Sequence, residues 1–150
     1  MTSQTPLEIA AEIRPALTQL YVLYFRQAEQ SKLTGPQLTI MTRLESEGPA
    51  RISHIAQTEG IRMPTASNAL HQLEERGMIE RVRDEQDRRG VKVKLTDEGR
   101  AELARVGQER TEHLAKMLET LSPESLEMAG NLAPVINELA KAYSDNLKGQ

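Results

Sequence analysis

Residues 64–95 read PTASNALHQLEERGMIERVRDEQDRRGVKVKL, and the spacing of their apolar side chains changes from helical to extended at Gly77. Before it, Ala66, Ala69 or Leu70, and Leu73 recur at threes and fours, the interval that lines one face of an α-helix. Pro64 sits where a first turn tolerates proline and Gly77 where a helix end favours glycine, so a helix is predicted from Pro64 to about Arg76. After it, Ile79-Glu80-Arg81-Val82-Arg83 and Val91-Lys92-Val93-Lys94-Leu95 alternate apolar and charged, which predicts two half-buried strands. The polar run Asp84 to Gly90 between them is long enough to project as a hairpin tip.

Working outward, a short helix is predicted from about Ser53 to Glu59, with Ile55 and Ala56 inward and Gly60 ending it. Before that, Thr34-Gly35-Pro36-Gln37 offers an N-cap, an early proline and a glutamine placed to close a capping box, for a helix with Leu38, Met41 and Leu44 inside. Downstream, Thr96 is placed to cap a helix whose first turn carries Asp97 and Glu98 and whose inner face is Leu103, Val106, Leu114, Met117 and Leu121. Ser122-Pro123-Glu124 repeats the cap-then-proline signal before a last helix with Leu132, Val135 or Ile136, Leu139 and Tyr143 on one face. Pro6 to about Gln30 is also helical in spacing, and its run Leu-Tyr-Val-Leu-Tyr-Phe at 20–25 is apolar nearly all round, which suggests burial against a second copy of the chain. Pro15 predicts a lead-in helix ending near Ile13 or a kink, and Pro134 predicts a kink in the last helix. The fold class expected is mainly α with a small two- to three-stranded β wing.

Composition removes several classes of function. The 150 residues carry 19 Lys and Arg against 22 Asp and Glu, three Tyr, one Phe and no Trp or Cys. Without cysteine there is no disulfide, no thiolate zinc site, no Cys nucleophile and no thiol switch. No apolar run reaches the roughly 18 residues of a membrane span, and the acidic residues near the start do not suit a signal peptide, so a cytoplasmic protein is expected. His54, His71 and His113 are scattered, and no Gly-rich phosphate loop or nucleophile elbow is present, so neither enzyme activity nor a metal or cofactor is expected. Residues 51–94 hold nine basic and seven acidic side chains, against six and ten in 95–150, so positive charge gathers where the wing is predicted.

In order and spacing these segments resemble the multiple-antibiotic-resistance-regulator (MarR) family of winged helix-turn-helix transcription factors. The resemblance runs through Leu33-Thr34-Gly35-Pro36-Gln37-Leu38, Ile52-Ser53-His54-Ile55-Ala56, Pro64 to Leu70 and Leu73 to Arg81. Its most specific part is Asp87-Arg88-Arg89 followed by Leu95-Thr96-Asp97-Glu98-Gly99, similar to the family's D-x-R wing and L-T-x-x-G motifs. It implies a single domain over 1–150, with dimerisation helices at 1–32 and 122–150, a DNA-binding lobe at 33–96 and a long connecting helix at 97–121. It further implies a homodimer whose second helix of each pair enters the major groove of double-stranded DNA.

A helix that reads base edges needs small or hydrogen-bonding side chains at its leading end. Pro64, Thr65, Ser67, Asn68, His71 and Gln72 supply them, with Thr65, Ser67, Asn68 and His71 the expected base or near-base contacts. A wing arginine suits the narrow, negative minor groove of A·T-rich DNA. By the family resemblance that residue is Arg89, beside Arg88, with Asp87 pairing with it or with a neighbouring arginine to set its direction. Arg62, Arg76, Arg81, Arg83, Lys92 and Lys94 are phosphate candidates, some of them expected to pair with Glu74, Glu75 or Glu80 instead. The resemblance also implies release of DNA by a small aromatic or lipophilic effector, for which Tyr21, Tyr24, Phe25, Met41 and Leu44 are candidate lining residues. The competing expectation is a winged helix converted to a protein-interaction module without sequence-specific DNA binding.

Overall fold

The computed structural model describes residues 3–28 and 33–149, except the side chains of Phe25, Gln27, Ala28 and Lys148. The chain divides between Gly35 and Pro36 into two units.

The first unit is helix α1, Pro6–Ala28. A reciprocal cap starts it: Thr5 N–H and Oγ1 both donate to Glu8 Oε2, at 2.8 and 2.9 Å, and Glu8 N–H returns a bond to Thr5 Oγ1. Those bonds hold the Glu8 carboxyl below its ordinary pKa. The lead-in helix ending near Ile13 is not observed, because α1 runs on through Pro15. One proline removes a single ladder donor, and the turns on either side keep theirs. Leu7, Ile9, Ile13, Leu17, Leu20 and Tyr21 are all exposed.

The second unit holds α2 (Gly35–Glu47), β1 (Ala50–Arg51), α3 (Ile52–Glu59), α4 (Met63–Glu75), β2 (Ile79–Arg83), β3 (Val91–Leu95), α5 (Asp97–Leu118) and α6 (Pro123–Lys148). Its core is aliphatic, built on Ile40, Met41, Leu44, Ile55, Ala66, Leu70, Leu73, Ile79, Val93, Leu95 and Val106. The α4 face is the one its spacing predicts. On α2, however, Gln37 and Ile40 join Met41 and Leu44 inside while Leu38 is only half-buried. Leu114 and Leu121, expected inward, are exposed on this single chain.

Glycines make the two sharp turns of the helix-turn-helix-wing unit. Gly60 (φ 64°) and Gly77 (φ 73°) take the left-handed conformation, letting Ile61 N–H reach Ala56 O at 3.0 Å and Met78 N–H reach Leu73 O at 2.9 Å. The sheet is antiparallel in the order β1-β3-β2, with Ile79 opposite Leu95 and Arg83 opposite Val91. The two-residue β1 pairs Ala50 with Val93 and Arg51 with Lys92, making a third strand.

Thr96 then caps α5 as expected. Its Oγ1 accepts Gly99 N–H at 3.0 Å and donates to Gly77 O at 2.6 Å, tying the α5 start to the α4 end. Thr96→Ala removes both bonds and is expected to destabilise the fold by about 1–2 kcal/mol. A lower urea midpoint with an unchanged slope is the expected reading. Arg43 on α2 ties the other side: its guanidinium donates to Glu47 on its own helix, Glu59 on α3 and Ser144 Oγ on α6.

Candidate nucleic-acid interface

At about 100° per residue, Pro64, Asn68, His71 and Glu75 run down the middle of α4's outer face. Ser67 lies on one flank and Thr65 and Gln72 on the other, and all these side chains are exposed, as is Arg62 before the helix. Two are not free as sequence alone suggests. His71 Nε2 lies 3.2 Å from Glu75 Oε1, one turn on. Gln72 accepts a 2.8 Å bond on its Oε1 from Nε2 of Gln37, a buried α2 side chain. With its carbonyl engaged, Gln72 offers N–H donors to a ligand, which suits phosphate or a purine acceptor better than the bidentate pattern of adenine.

The wing tip is held by carboxylates. Asp84, 5% exposed, receives Gln86 N–H on Oδ1 at 3.0 Å, and Asp87 receives Arg89 N–H on Oδ1 at 3.1 Å. Two main-chain bonds close the loop, Asp84 N–H to Gly90 O and Gly90 N–H to Asp87 O. Into this loop reaches Arg51 of β1, whose Nε and Nη2 contact Asp84 Oδ2 at 3.0 and 2.9 Å and whose Nη2 contacts Asp87 Oδ2 at 3.2 Å. Of the two pairings expected for Asp87, the one with Arg89 is not made by the side chains: the carboxylate meets a different arginine, Arg51, brought beside it from β1, and what it holds of Arg89 is the main chain. Arg51 chiefly, then Gln86 N–H and Lys92, keep Asp84 below the usual carboxylate range. Asp87 is lowered first by Arg89 N–H and then by Arg51, while Arg51 itself is raised by both carboxylates.

The phosphate candidates divide. Arg81 pairs with Glu74 at 3.1 Å, Lys94 with Glu80 at 3.2 Å, Lys92 lies 3.7 Å from Asp84, and Arg76 is likewise engaged. Arg62, Arg83, Arg88 and Arg89 are exposed and form no ion pair with any described residue. Arg62 stands at the start of α4, Arg83 at the end of β2, and Arg88 and Arg89 in the loop between β2 and β3, each with an unneutralised guanidinium group of the kind that suits phosphate.

The effector candidates divide between the two units, Tyr21, Tyr24 and Phe25 on α1 and Met41 and Leu44 on α2. Met41 and Leu44 are closed into the core, at 0% and 4% exposure, so they line no open surface of the chain as it stands. Tyr21 is exposed, Tyr24 half-buried, and the Phe25 side chain lies outside the described residues. A cleft of about 590 Å³ edged by α2, α3 and α6 is lined by none of the five; most of its lining surface is apolar, with Arg43, Glu59, Lys141 and Asp145 supplying the charge. Among the described residues no cluster of His, Asp or Glu side chains has metal-binding geometry, and no helix is long and apolar enough to cross a membrane.

Helix, glycine turn, helix and braced hairpin, in that order, define a winged helix-turn-helix DNA-binding module. The MarR family model matches residues 33–91. PecS of Dickeya dadantii (strain 3937), an HTH-type transcriptional regulator, is 33% identical over 118 residues, 77% of this chain and 69% of that one. MdtR of Bacillus subtilis (strain 168), an HTH-type transcriptional repressor, is 26% identical over 113 residues, 75% and 73% of the two chains. Among solved structures, a point mutant of S. aureus MepR bound to an oligodeoxyribonucleotide superposes with a TM-score of 0.64 at 24% identity, over 91% of this chain and 99% of that one. The chain belongs to the MarR family of transcriptional regulators.

Proposed function

We propose that this regulator is a cytoplasmic homodimeric repressor that covers a pseudo-palindromic operator with half-sites about one helical turn apart. Asn68, His71, Ser67 and Thr65 read base edges, Pro64 lets the helix approach closely, and Gln72 donates alongside. Arg89 enters the minor groove with Arg88 beside it, and Arg62, Arg83, Arg76, Arg81 and Lys92 meet phosphates, the last three by exchanging an internal partner. The observation that carries this reading is the pair Arg88 and Arg89, exposed and without an ion-pair partner among the described residues, in a hairpin loop closed by its own main-chain bonds. The repressor role is supported by the likeness to MdtR.

Dimerisation through residues 1–32 and 122–150 is supported by the exposed apolar side chains of α1 and α6. The lobe would then be 33–96 and the connector 97–121. A small aromatic or lipophilic effector would release DNA by changing the spacing of the two α4 helices. Tyr21 and Tyr24 are its accessible candidate contacts, Phe25 is a third, and Met41 and Leu44 would serve only as the floor of a site that opens.

Selection from a randomised duplex pool with the purified protein tests the reading and supplies an operator. Enrichment of an inverted repeat with A·T-rich flanks is the expected result; salt-sensitive binding without enrichment would overturn it. On the enriched duplex, Arg89→Ala is expected to weaken binding by roughly tenfold to a hundredfold, about 1–3 kcal/mol, with unchanged melting temperature. Equal affinity would remove the wing from the interface.

A further inference from the structure

The seven-residue wing tip has no apolar anchor: of residues 84–90 only Asp84 is buried and Gly90 half-buried. A loop of this kind is disordered in isolation, and ordering it on DNA would be paid out of the binding energy. Yet its two acceptor carboxylates, Asp84 and Asp87, both meet one guanidinium, delivered from a strand 33 and 36 residues earlier in the chain. We propose that Arg51 is a positioning residue for DNA binding, a brace that joins Asp84 and Asp87 to the body of the sheet and so presents Arg88 and Arg89 in a fixed direction. The proposal rests on the wing reading above and assigns to Arg51 a role that none of the family motifs quoted contains.

Three features of the geometry support it. Arg51 is paired in register with Lys92 on β3, so its main chain is held by the sheet and only its side chain reaches the tip. Each carboxylate divides its oxygens, one accepting a loop N–H and the other the guanidinium, so the arginine is coupled to the loop backbone at Gln86 and Arg89. Charge-assisted bonds of this kind are about twice as strong as neutral ones, and the Asp84 end is sheltered from water. Finally, the guanidinium lies against the bare α-carbon of Gly90, where a β-carbon would overlap Arg51 Nη2 and Cζ. Glycine at 90 is therefore required by the brace and not by its backbone angles.

Gly90 also separates two explanations of any loss. Arg51→Ala removes the brace together with a positive charge. Gly90→Ala displaces the far end of the same flexible side chain and leaves the charge in place. With the duplex enriched by the native protein as the probe, both variants are expected to bind about tenfold more weakly at fixed salt, a typical loss for one mispositioned arginine contact. Amide hydrogen exchange at Gln86 and Arg89 should accelerate in both, with the β2–β3 ladder still protected. Arg51→Ala, which leaves the sheltered Asp84 carboxylate without its chief partner, should also lower the melting temperature, and binding is compared at a temperature where both variants are fully folded. In an Arg89→Ala background, adding Arg51→Ala should weaken binding no more than about twofold, because the brace then has little left to position.

Unchanged exchange at Gln86 and Arg89 in both variants would overturn the brace. Faster exchange with native affinity, or losses for Arg51→Ala and Arg89→Ala that multiply, would overturn its role in binding, the latter making Arg51 an independent phosphate contact. Native affinity in Arg89→Ala alone would instead remove the wing reading. The two failures are told apart because exchange at Gln86 and Arg89 is measured without DNA.

Discussion

Leu139→Asp is expected to leave a folded monomer whose affinity for the operator has fallen by about 10²–10⁴-fold, the range in which a second linked site contributes to avidity. Leu139 is 70% exposed on the single chain, and Met128, Leu132, Ile136 and Tyr143 extend the same α6 stripe at intervals of three and four. On a lone helix facing water, exchanging such a leucine for aspartate would change stability by no more than about 0.5 kcal/mol. On a face covered by a second copy, it would bury a carboxylate with no provision for a partner, and dissociation would be the cheaper outcome. One lobe alone would then hold one half-site. Sedimentation equilibrium, circular dichroism and titration of the enriched duplex read the three parts separately. A native-sized, tightly binding Leu139→Asp protein would reject α6 as the face that joins the copies.

The same face explains where sequence patterning succeeds and where it does not. On α4 and at the base of the wing, period alone identifies Ala66, Ala69, Leu70, Leu73, Ile79, Val93 and Leu95 as interior, whereas toward the tip Val82 is only half-buried and Val91 is exposed. On α5, Leu114 and, just beyond its end, Leu121 have an interior period yet are exposed. Spacing records that a face is apolar; it does not record what covers it. At Pro15 the helix does not end, since the proline takes one donor out of a ladder long enough to continue.

In the interface, the residues that face outward from α4 are legible because they are the complement of its buried face. What escapes is long-range pairing. Arg51 sits in a two-residue strand too short to show alternation, and its partners lie 33 and 36 positions away. Gln37 reads as a local capping residue, yet its amide reaches 35 positions forward to Gln72. Gly90 is the one clue to Arg51 that the sequence holds: a glycine at an ordinary backbone angle in a polar loop marks a close approach.

Gly99 gives the largest stability effect expected of a single methyl group. It lies in the first turn of α5, where alanine would be preferred over glycine by about 1 kcal/mol on helix propensity alone. Space decides otherwise. A β-carbon at 99 would overlap the carbonyl oxygen of Met78 and stand 3.3 Å from Leu95 Cδ2. The obstacle is main chain, and that oxygen is already bonded to Thr96 N–H at 3.1 Å, so yielding means parting the start of α5 from the start of β2. The Thr96 cap, which needs Gly99 N–H, would go with it. Overpacking against backbone of this kind is placed at about 3 kcal/mol, outweighing the propensity gain and lowering the melting temperature by roughly 6–12 °C for a chain of this size. Gly107 on the same helix has nothing within 4 Å of its would-be β-carbon, so Gly107→Ala should stabilise by about 0.5–1 kcal/mol. Urea midpoints of both variants at one fixed protomer concentration decide the matter. Opposite signs are required if close approach at the α5–β2 junction is what keeps glycine at position 99; a Gly99→Ala protein as stable as the native one would show that the junction gives way easily.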